Sequence, residues 1–147
     1  MKETVASADY LDLARLVLRL SRHLTRTFDE ALVPAYGIAT KDYLVLRMVQ
    51  AGEVHPGGVA ERLNMPPASV SRALERLESR GYISRAVDSA DHRRFRLAVT
   101  AEGVQAVESV RRLMREALGK RYAQVPATVL RSTIDQLASL NEVLETG

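Results

Sequence analysis

Residues 58–99 read GVAERLNMPPASVSRALERLESRGYISRAVDSADHRRFRLAV, and this stretch decides the fold. Two short helical patterns, Gly58 to Leu63 and Ala68 to Arg80, are separated only by Asn64 to Pro67, a spacing that suits a helix-turn-helix. Asn64 falls where such a turn wants a left-handed backbone, which asparagine tolerates better than most non-glycine residues. Pro67, with its fixed φ, suits a first helical position. Gly81 closes the second helix. Two strand-like segments follow, Ile83 to Val87 and Phe95 to Val99, and the polar link Asp88 to Arg94 predicts a hairpin tip. Phe95, Leu97 and Val99 alternate with Arg94, Arg96 and Ala98, so the second strand is expected to bury one face and show a basic one.

Working outward, the chain is helical on both sides. From Ala8 to Val33, Leu13, Val17, Leu20, Leu24, Phe28 and Ala31 recur at helical spacing, while Arg15, Arg19, Arg22 and Arg26 line another face. Leu11 and Leu18 fall nearly opposite the main stripe, and a helix with two apolar faces needs two partners, one of them in another subunit. The tract Pro34 to Thr40 is expected to break this helix. A short helix, Lys41 to Gln50, should follow, with Thr40 as N-cap, Asp42 in its first turn and Gly52 as its stop. Then comes a turn at His55 to Gly58. Beyond the hairpin, Thr100 is the expected N-cap of a helix from Ala101 to Tyr122 carrying Val104, Val107, Val110, Met114 and Leu118. Pro126 ends it, and Ala127 to Leu144 repeats the pattern with Leu130, Ile134 and Leu137. The fold class is mostly α with a small β-hairpin, expected as one folding unit over residues 1–147.

Composition narrows the function classes. Of the 147 residues, 46% are hydrophobic and 27% charged, and every apolar run is cut short by a polar residue, so no membrane-spanning segment is expected. The polar start, Met1 to Asp9, lacks a basic-then-apolar signal pattern, and a cytoplasmic protein is the expectation. The absence of cysteine removes disulfides, thiolate metal sites and thiol switches together. A formal charge of +3 favours a polyanionic partner only mildly, so the distribution of charge must decide.

That distribution is uneven. At 100° per residue, Leu74 and Leu77 lie close to Val70, whereas Arg72, Arg76 and Ser79 lie on the opposite side of the same helix. Arginine can make two parallel hydrogen bonds to guanine or grip phosphate, and serine can donate to phosphate near a helix start, so this face is chemically fit for a DNA major groove. The plainer alternative is a solvated face balanced by Glu75 and Glu78. Arg93, Arg94 and Arg96 then gather at the predicted hairpin tip, and a thin tip suits the negative potential of a narrow minor groove; the alternative there is a soluble turn.

Asp91-His92-Arg93-Arg94-Phe95-Arg96-Leu97-Ala98-Val99-Thr100 followed by Gly103 resembles the wing signature of the MarR (multiple antibiotic resistance regulator) winged-helix family. Ser69-Val70-Ser71-Arg72 with Leu77, Gly81 and Tyr82-Ile83 is similar to that family's recognition helix and its exit, and Ala60-Glu61-Arg62-Leu63 to the helix before it. The resemblance spans nearly the whole chain. It implies a winged helix-turn-helix lobe over residues 36–100 and a helical dimerisation lobe from 1–35 and 101–147. It further implies that Ser69, Ser71, Arg72 and Arg76 approach the major groove, that Arg93 enters the minor groove beside Arg94, and that Asp91 orients the wing arginine. The expected partners are double-stranded DNA bearing a pseudo-palindromic operator, a second copy of the chain, and a small aromatic or phenolic inducer. Where the first, second and fifth helices meet, Arg19, His23, Tyr43 and Arg47 are the candidate inducer contacts, weighed against ordinary surface and core-edge roles. Pro66 departs from the family, standing where a Ser or Thr cap is usual.

Rival readings find less support. His23, His55 and His92 are far apart and lack a partner at ligand-like spacing, so no metal or cofactor is expected. No nucleophile elbow, phosphate loop or metalloprotease motif occurs, which argues against an enzyme using His23 or His92 as base. A winged helix that binds protein instead of DNA is the remaining alternative, and the basic hairpin argues against it.

Overall fold

A computed structural model describes residues 5–146. In order along the chain it contains α1 (Ser7–Tyr36), α2 (Thr40–Gln50), α3 (Pro56–Leu63), α4 (Pro67–Ser79), β1 (Ile83–Val87), β2 (Phe95–Val99), α5 (Ala101–Arg121) and α6 (Ala127–Glu145). Two compact units divide it, one running to Ala117 and the other starting at Leu118, so the boundary falls inside α5.

The first unit is built around one apolar core. Leu32 and Ile38 from the end of α1 and its corner, Val45, Leu46 and Val49 from α2, Val59 from α3, and Val70, Leu74 and Leu77 from α4 are all buried. Ile83 and Leu97 bring the hairpin to the same core, and Val107 and Val110 bring α5. Removing one such leucine should cost about 2 to 5 kcal/mol. The α3–α4 turn follows the local rules that predicted it: Asn64 caps α3 in the left-handed region (φ 50°, ψ 46°), and Pro67 opens α4. The hairpin is a two-stranded antiparallel pair with Ile83 opposite Val99 and Val87 opposite Phe95.

Helix α1 breaks inside the tract Pro34 to Thr40 as expected, but it passes through Pro34 and runs on to Tyr36, ending at Gly37 in the left-handed region (φ 67°). The proline deprives only the Glu30 carbonyl of its donor, on an exposed part of the helix where solvent can serve it. Three other expectations need correction. Thr40 is the first helical residue of α2 and Ala39 its N-cap. The Thr40 amide and hydroxyl both donate to Asp29 Oδ1 (2.7 and 2.6 Å), tying α1 to the start of α2. Helix α3 begins at Pro56, two residues before the expected start, because proline is tolerated in a first turn whose amides lack helical partners. Finally, of Phe95, Leu97 and Val99 only Leu97 is buried and Val99 partly so; Phe95 lies beyond the edge of the core, where the Arg85 guanidinium stacks over its ring at 5.1 Å.

Thr100 caps α5 as expected: its hydroxyl accepts the Gly103 amide (3.0 Å) and donates to the Gly81 carbonyl (2.5 Å). A Cβ at Gly103 would fall on the Tyr82 carbonyl, so this turn admits only glycine. Much of α1 is uncovered. Leu11, Leu13, Leu16, Val17, Leu18 and Leu20 are exposed, and burial begins only near Leu24. In the second unit no residue of α6 is buried, and Leu130, Ile134, Leu140, Val143 and Leu144 are exposed.

Candidate nucleic-acid interface

Helix α4 has a sharp division of faces. Val70, Ala73, Leu74 and Leu77 are buried, while Ser71, Arg72, Glu75 and Arg76 face outward and Ser69 is half-buried at the first turn. Pro66 is the N-cap and supplies no side-chain cap; Pro67 has no N–H and the Ser69 and Val70 amides donate to the Pro66 carbonyl (2.9 and 3.2 Å), so at this helix start the Ala68 amide keeps its capacity to donate. Among the described residues no carboxylate pairs with Arg72, whose Nη2 donates to the Ser69 hydroxyl (3.4 Å).

Arg76 is placed differently. Its Nε donates to both oxygens of Asp42 (3.0 and 3.1 Å) and its Nη2 to Oδ1 (2.7 Å). Asp42 is buried to 1% exposure and its Oδ2 also accepts the Ala39 amide (2.9 Å), so one carboxylate caps α2 and grips α4. The hydrogen bonds that Arg76 donates to Asp42 raise its pKa above its ordinary value. One turn on, the Arg80 guanidinium lies so close over Gly37 that a Cβ there would collide with it. The C-terminal half of α4 is thus tied by polar contacts to the corner between α1 and α2, while its N-terminal half is held by its buried face, Val70, Ala73 and Leu74.

At the other basic element, Asp88 turns inward at the end of β1. Its Oδ1 accepts the Ala90 and Asp91 amides (2.8 and 3.4 Å), shaping the tip. These bonds, the one from Ala90 foremost, hold the Asp88 carboxyl below the usual carboxylate range, with help from His55 and Arg94. Asp91 accepts the Arg93 amide (3.0 Å), and its oxygens lie 3.6 Å from Arg93 Nε and 3.8 Å from Arg94 Nε. The Arg93 side chain is 95% exposed, so Asp91 steers it without covering it.

The four candidate inducer contacts fare unevenly. Arg19 and His23 lie on the exposed stretch of α1, Tyr43 is part of the core, and Arg47 donates to Gln50 Oε1 (2.6 Å). A hollow of about 370 Å³ where α1 and α2 meet the α3–α4 turn is lined by other residues, among them Thr25, Lys41, Leu44, Met65 and Ser69. Among the described residues no cluster of His, Asp or Glu is arranged to hold a metal, and no helix is long and apolar enough to cross a membrane.

Asp42 and Asp88 are the residues of the candidate site whose part in it sequence reasoning passed over. A signal existed for each: Asp42 stands three residues after a helix cap, where a carboxylate reaches back to the cap amide, and Asp88 opens a hairpin tip, where aspartate accepts amides two residues on.

Known proteins carry the same combination of elements. A model of the MarR family matches residues 36–94. An uncharacterised helix-turn-helix-type transcriptional regulator of Mycobacterium bovis is 28% identical over 132 residues, covering 88% of this chain and 90% of its own. A MarR-family transcriptional regulator from Rhodococcus sp. RHA1 superposes with a TM-score of 0.76 at 26% identity, over 93% of this chain and 96% of its own. CouR from Rhodococcus jostii RHA1, solved bound to p-coumaroyl-CoA, has a TM-score of 0.69 at 27% identity, over 93% and 95% of the two chains.

Proposed function

We propose that this chain, similar as it is to winged-helix transcriptional regulators of the MarR family, is itself such a regulator and works as a homodimeric repressor, holding a pseudo-palindromic operator until a small aromatic or phenolic ligand releases it. The observation that carries the DNA contact is the coexistence, on one rigid core, of two exposed basic elements free to enter grooves: the N-terminal half of α4 and the hairpin tip. Ser69, Ser71 and Arg72 then face the major groove, with Arg72 reading a guanine or a phosphate. Arg76 joins them from the fastened half of the helix, with only Nη1 left for a phosphate beyond the atoms that hold Asp42. Arg93 enters the minor groove, kept extended by Asp91, and Arg94 flanks it.

The exposed apolar residues of α1 and α6 support the dimer, since uncovered stripes of that size are costly in water. A two-fold dimer presents its two recognition helices about 34 to 36 Å apart, one helical turn of DNA. Support for the ligand comes from CouR, whose bound p-coumaroyl-CoA carries a phenolic acyl group. Arg19, His23 and Arg47 are the inducer contacts of this reading, with Tyr43 behind them in the core. A ligand seated there would change the spacing of the two α4 helices and so lose one groove.

The test is selection of bound sequences from random DNA with the purified protein, followed by a salt titration on the selected duplex and on a scrambled one. The expected result is a steep salt slope with a preference of at least about 10³-fold for the selected site. Phenolic acids and their thioesters are then screened for release. Equal, weak binding to both duplexes would instead favour a winged helix that binds protein.

A further inference from the structure

His55 is the N-cap residue of α3, yet its side chain makes no cap bond. The ring turns to the hairpin instead. Nδ1 lies 3.1 Å from the Phe95 carbonyl oxygen, and Nε2 lies 3.4 Å from Asp88 Oδ2. Asp88 is 5% exposed and the imidazole 23%, so both face each other largely out of water. Beneath them the Val54 carbonyl accepts the Leu97 amide (2.7 Å), laying the α2–α3 loop along the outer edge of β2. One residue thus bridges the loop to both strands of the hairpin.

The partners dictate the ring's protons. A carbonyl oxygen only accepts, so Nδ1 must carry a hydrogen; in a neutral ring Nε2 would then aim a lone pair at a carboxylate oxygen. Only the imidazolium suits both, donating to the carbonyl and setting its charge against the carboxylate. We infer that His55 is a positioning residue for the wing, clamping the base of the hairpin as an imidazolium so that the wing's grip on DNA depends on a proton. The inference rests on the wing being a DNA contact.

The other charges near the ring define how the clamp works. Arg94 Nε is 4.0 Å from the same Asp88 oxygen that faces His55, and 3.8 Å from Asp91. Glu53 Oε1 lies 3.5 Å from the His55 amide, while its Oε2 pairs with Arg62 of α3 at 3.2 Å. Glu53 is therefore already neutralised, and Asp88 is the carboxylate shared between His55 and Arg94. With His55 charged, Arg94 is free to turn outward. When His55 loses its proton, Asp88 repels the Nε2 lone pair and draws Arg94 inward, loosening the hairpin base and removing a cation from the tip. Histidine is the side chain whose charge ordinarily changes near neutrality, and a two-stranded hairpin has little stability of its own, so one lost contact matters. The clamp holds between two limits: it is lost as pH rises and the imidazolium deprotonates, and lost again in acid when Asp88, held below the usual carboxylate range by the Ala90 and Asp91 amides, finally takes a proton.

The experiment has two arms on the full chain. In the first, the free protein is titrated from pH 5.5 to 8.5 by NMR, following the His55 ring and the intrinsic-rate-corrected exchange protection of the Ala90 and Leu97 amides. Protection should fall about three- to tenfold in step with His55 deprotonation. The fall should vanish in His55→Gln, whose amide can still donate to the Phe95 carbonyl. It should also be abolished or reversed in Asp88→Asn, which keeps the Oδ1 acceptor but offers an N–H to the neutral ring. Protection that ignores the titration, or that falls equally in His55→Gln, overturns the clamp. In the second arm, affinity for the selected operator is measured at pH 6 and 8. Wild type should weaken about three- to tenfold more than His55→Gln, every other source of pH dependence being common to both. A clamp that titrates with no such difference overturns the positioning role; a protein that binds no operator at either pH instead fails the DNA reading and leaves the first arm to decide the clamp.

Discussion

Replacing Asp42 with alanine removes at one stroke the cap of α2 and the anchor of α4. The Ala39 amide loses its acceptor, a loss of about 1 kcal/mol for a helix cap. The paired hydrogen bonds from Arg76 would be worth about 1.5 to 3 kcal/mol if both groups were sheltered. The carboxylate is buried, but the guanidinium is 48% exposed and regains water when released, which reduces that part to about 1 to 1.5 kcal/mol. The expected total is about 2 to 2.5 kcal/mol, read from urea unfolding followed by circular dichroism at matched protein concentration. Asp42→Asn, which keeps an acceptor for Ala39, should lose only about 1 kcal/mol. Arg76→Ala should lose less than Asp42→Ala, and the double variant should show about 1 kcal/mol of coupling. A fully additive double variant, or an Asp42→Ala protein within about 0.5 kcal/mol of wild type, would refute the reasoning that this carboxylate holds the two helices together.

Arg72→Ala should weaken operator binding by about 1 to 3 kcal/mol and relax preference at one base pair if the contact is to a base, whereas a phosphate contact would weaken all duplexes alike; unchanged affinity removes Arg72 from the interface. Arg93→Ala should leave unfolding unchanged and flatten the slope of log K against log salt by up to about one unit, and a wild-type slope would mean the tip does not touch DNA. Gly103→Ala should lose about 2 to 3 kcal/mol or fail to fold, because its Cβ meets the Tyr82 carbonyl; a wild-type melting temperature would contradict the packing of that turn. The depressed Asp88 carboxyl contributes stability that is complete above its unfolded pKa and is lost as pH falls through its lower folded value. Protection of the Ala90 amide should therefore decline below the usual carboxylate range in wild type but not in Asp88→Asn, and equal declines would deny the carboxylate that role.

What the sequence disclosed about the fold was local. Asn64 and Pro67 announced the α3–α4 turn because their backbone preferences are properties of single residues, and the alternation of Val70, Leu74 and Leu77 with Ser71, Arg72 and Arg76 gave the faces of α4 because a helix has one period. Distance defeated the rest. Arg76 read as a free groove residue because its partner, Asp42, is 34 positions away, and nothing local tells a solvated arginine from an anchored one. Thr40 read as a cap because the hydroxyl's true acceptor, Asp29, belongs to another helix. Phe95 read as core because alternation shows which residues share a face but not how far along the strand the core extends. His55, dismissed as a metal ligand for want of neighbours, has them only once the hairpin folds back onto the α2–α3 loop.

The polar anchors of α4, at Asp42 and Gly37, stand at one end of the helix and the other end rests on the core through Val70 and Ala73, so when the core beneath it shifts the helix turns about its anchored end as on a fulcrum. Arg76 and Ser69 are separated by about 10 Å of helix at 1.5 Å per residue, and a tilt of about 10° around the fulcrum carries the Ser69 end through about 2 Å. A hydrogen bond to a base edge is lost over less than that. The residue at the fulcrum scarcely moves in such a swing, so a shift of the α1–α2 corner too small to break the Arg76–Asp42 pair is magnified at the end of the helix proposed to read sequence.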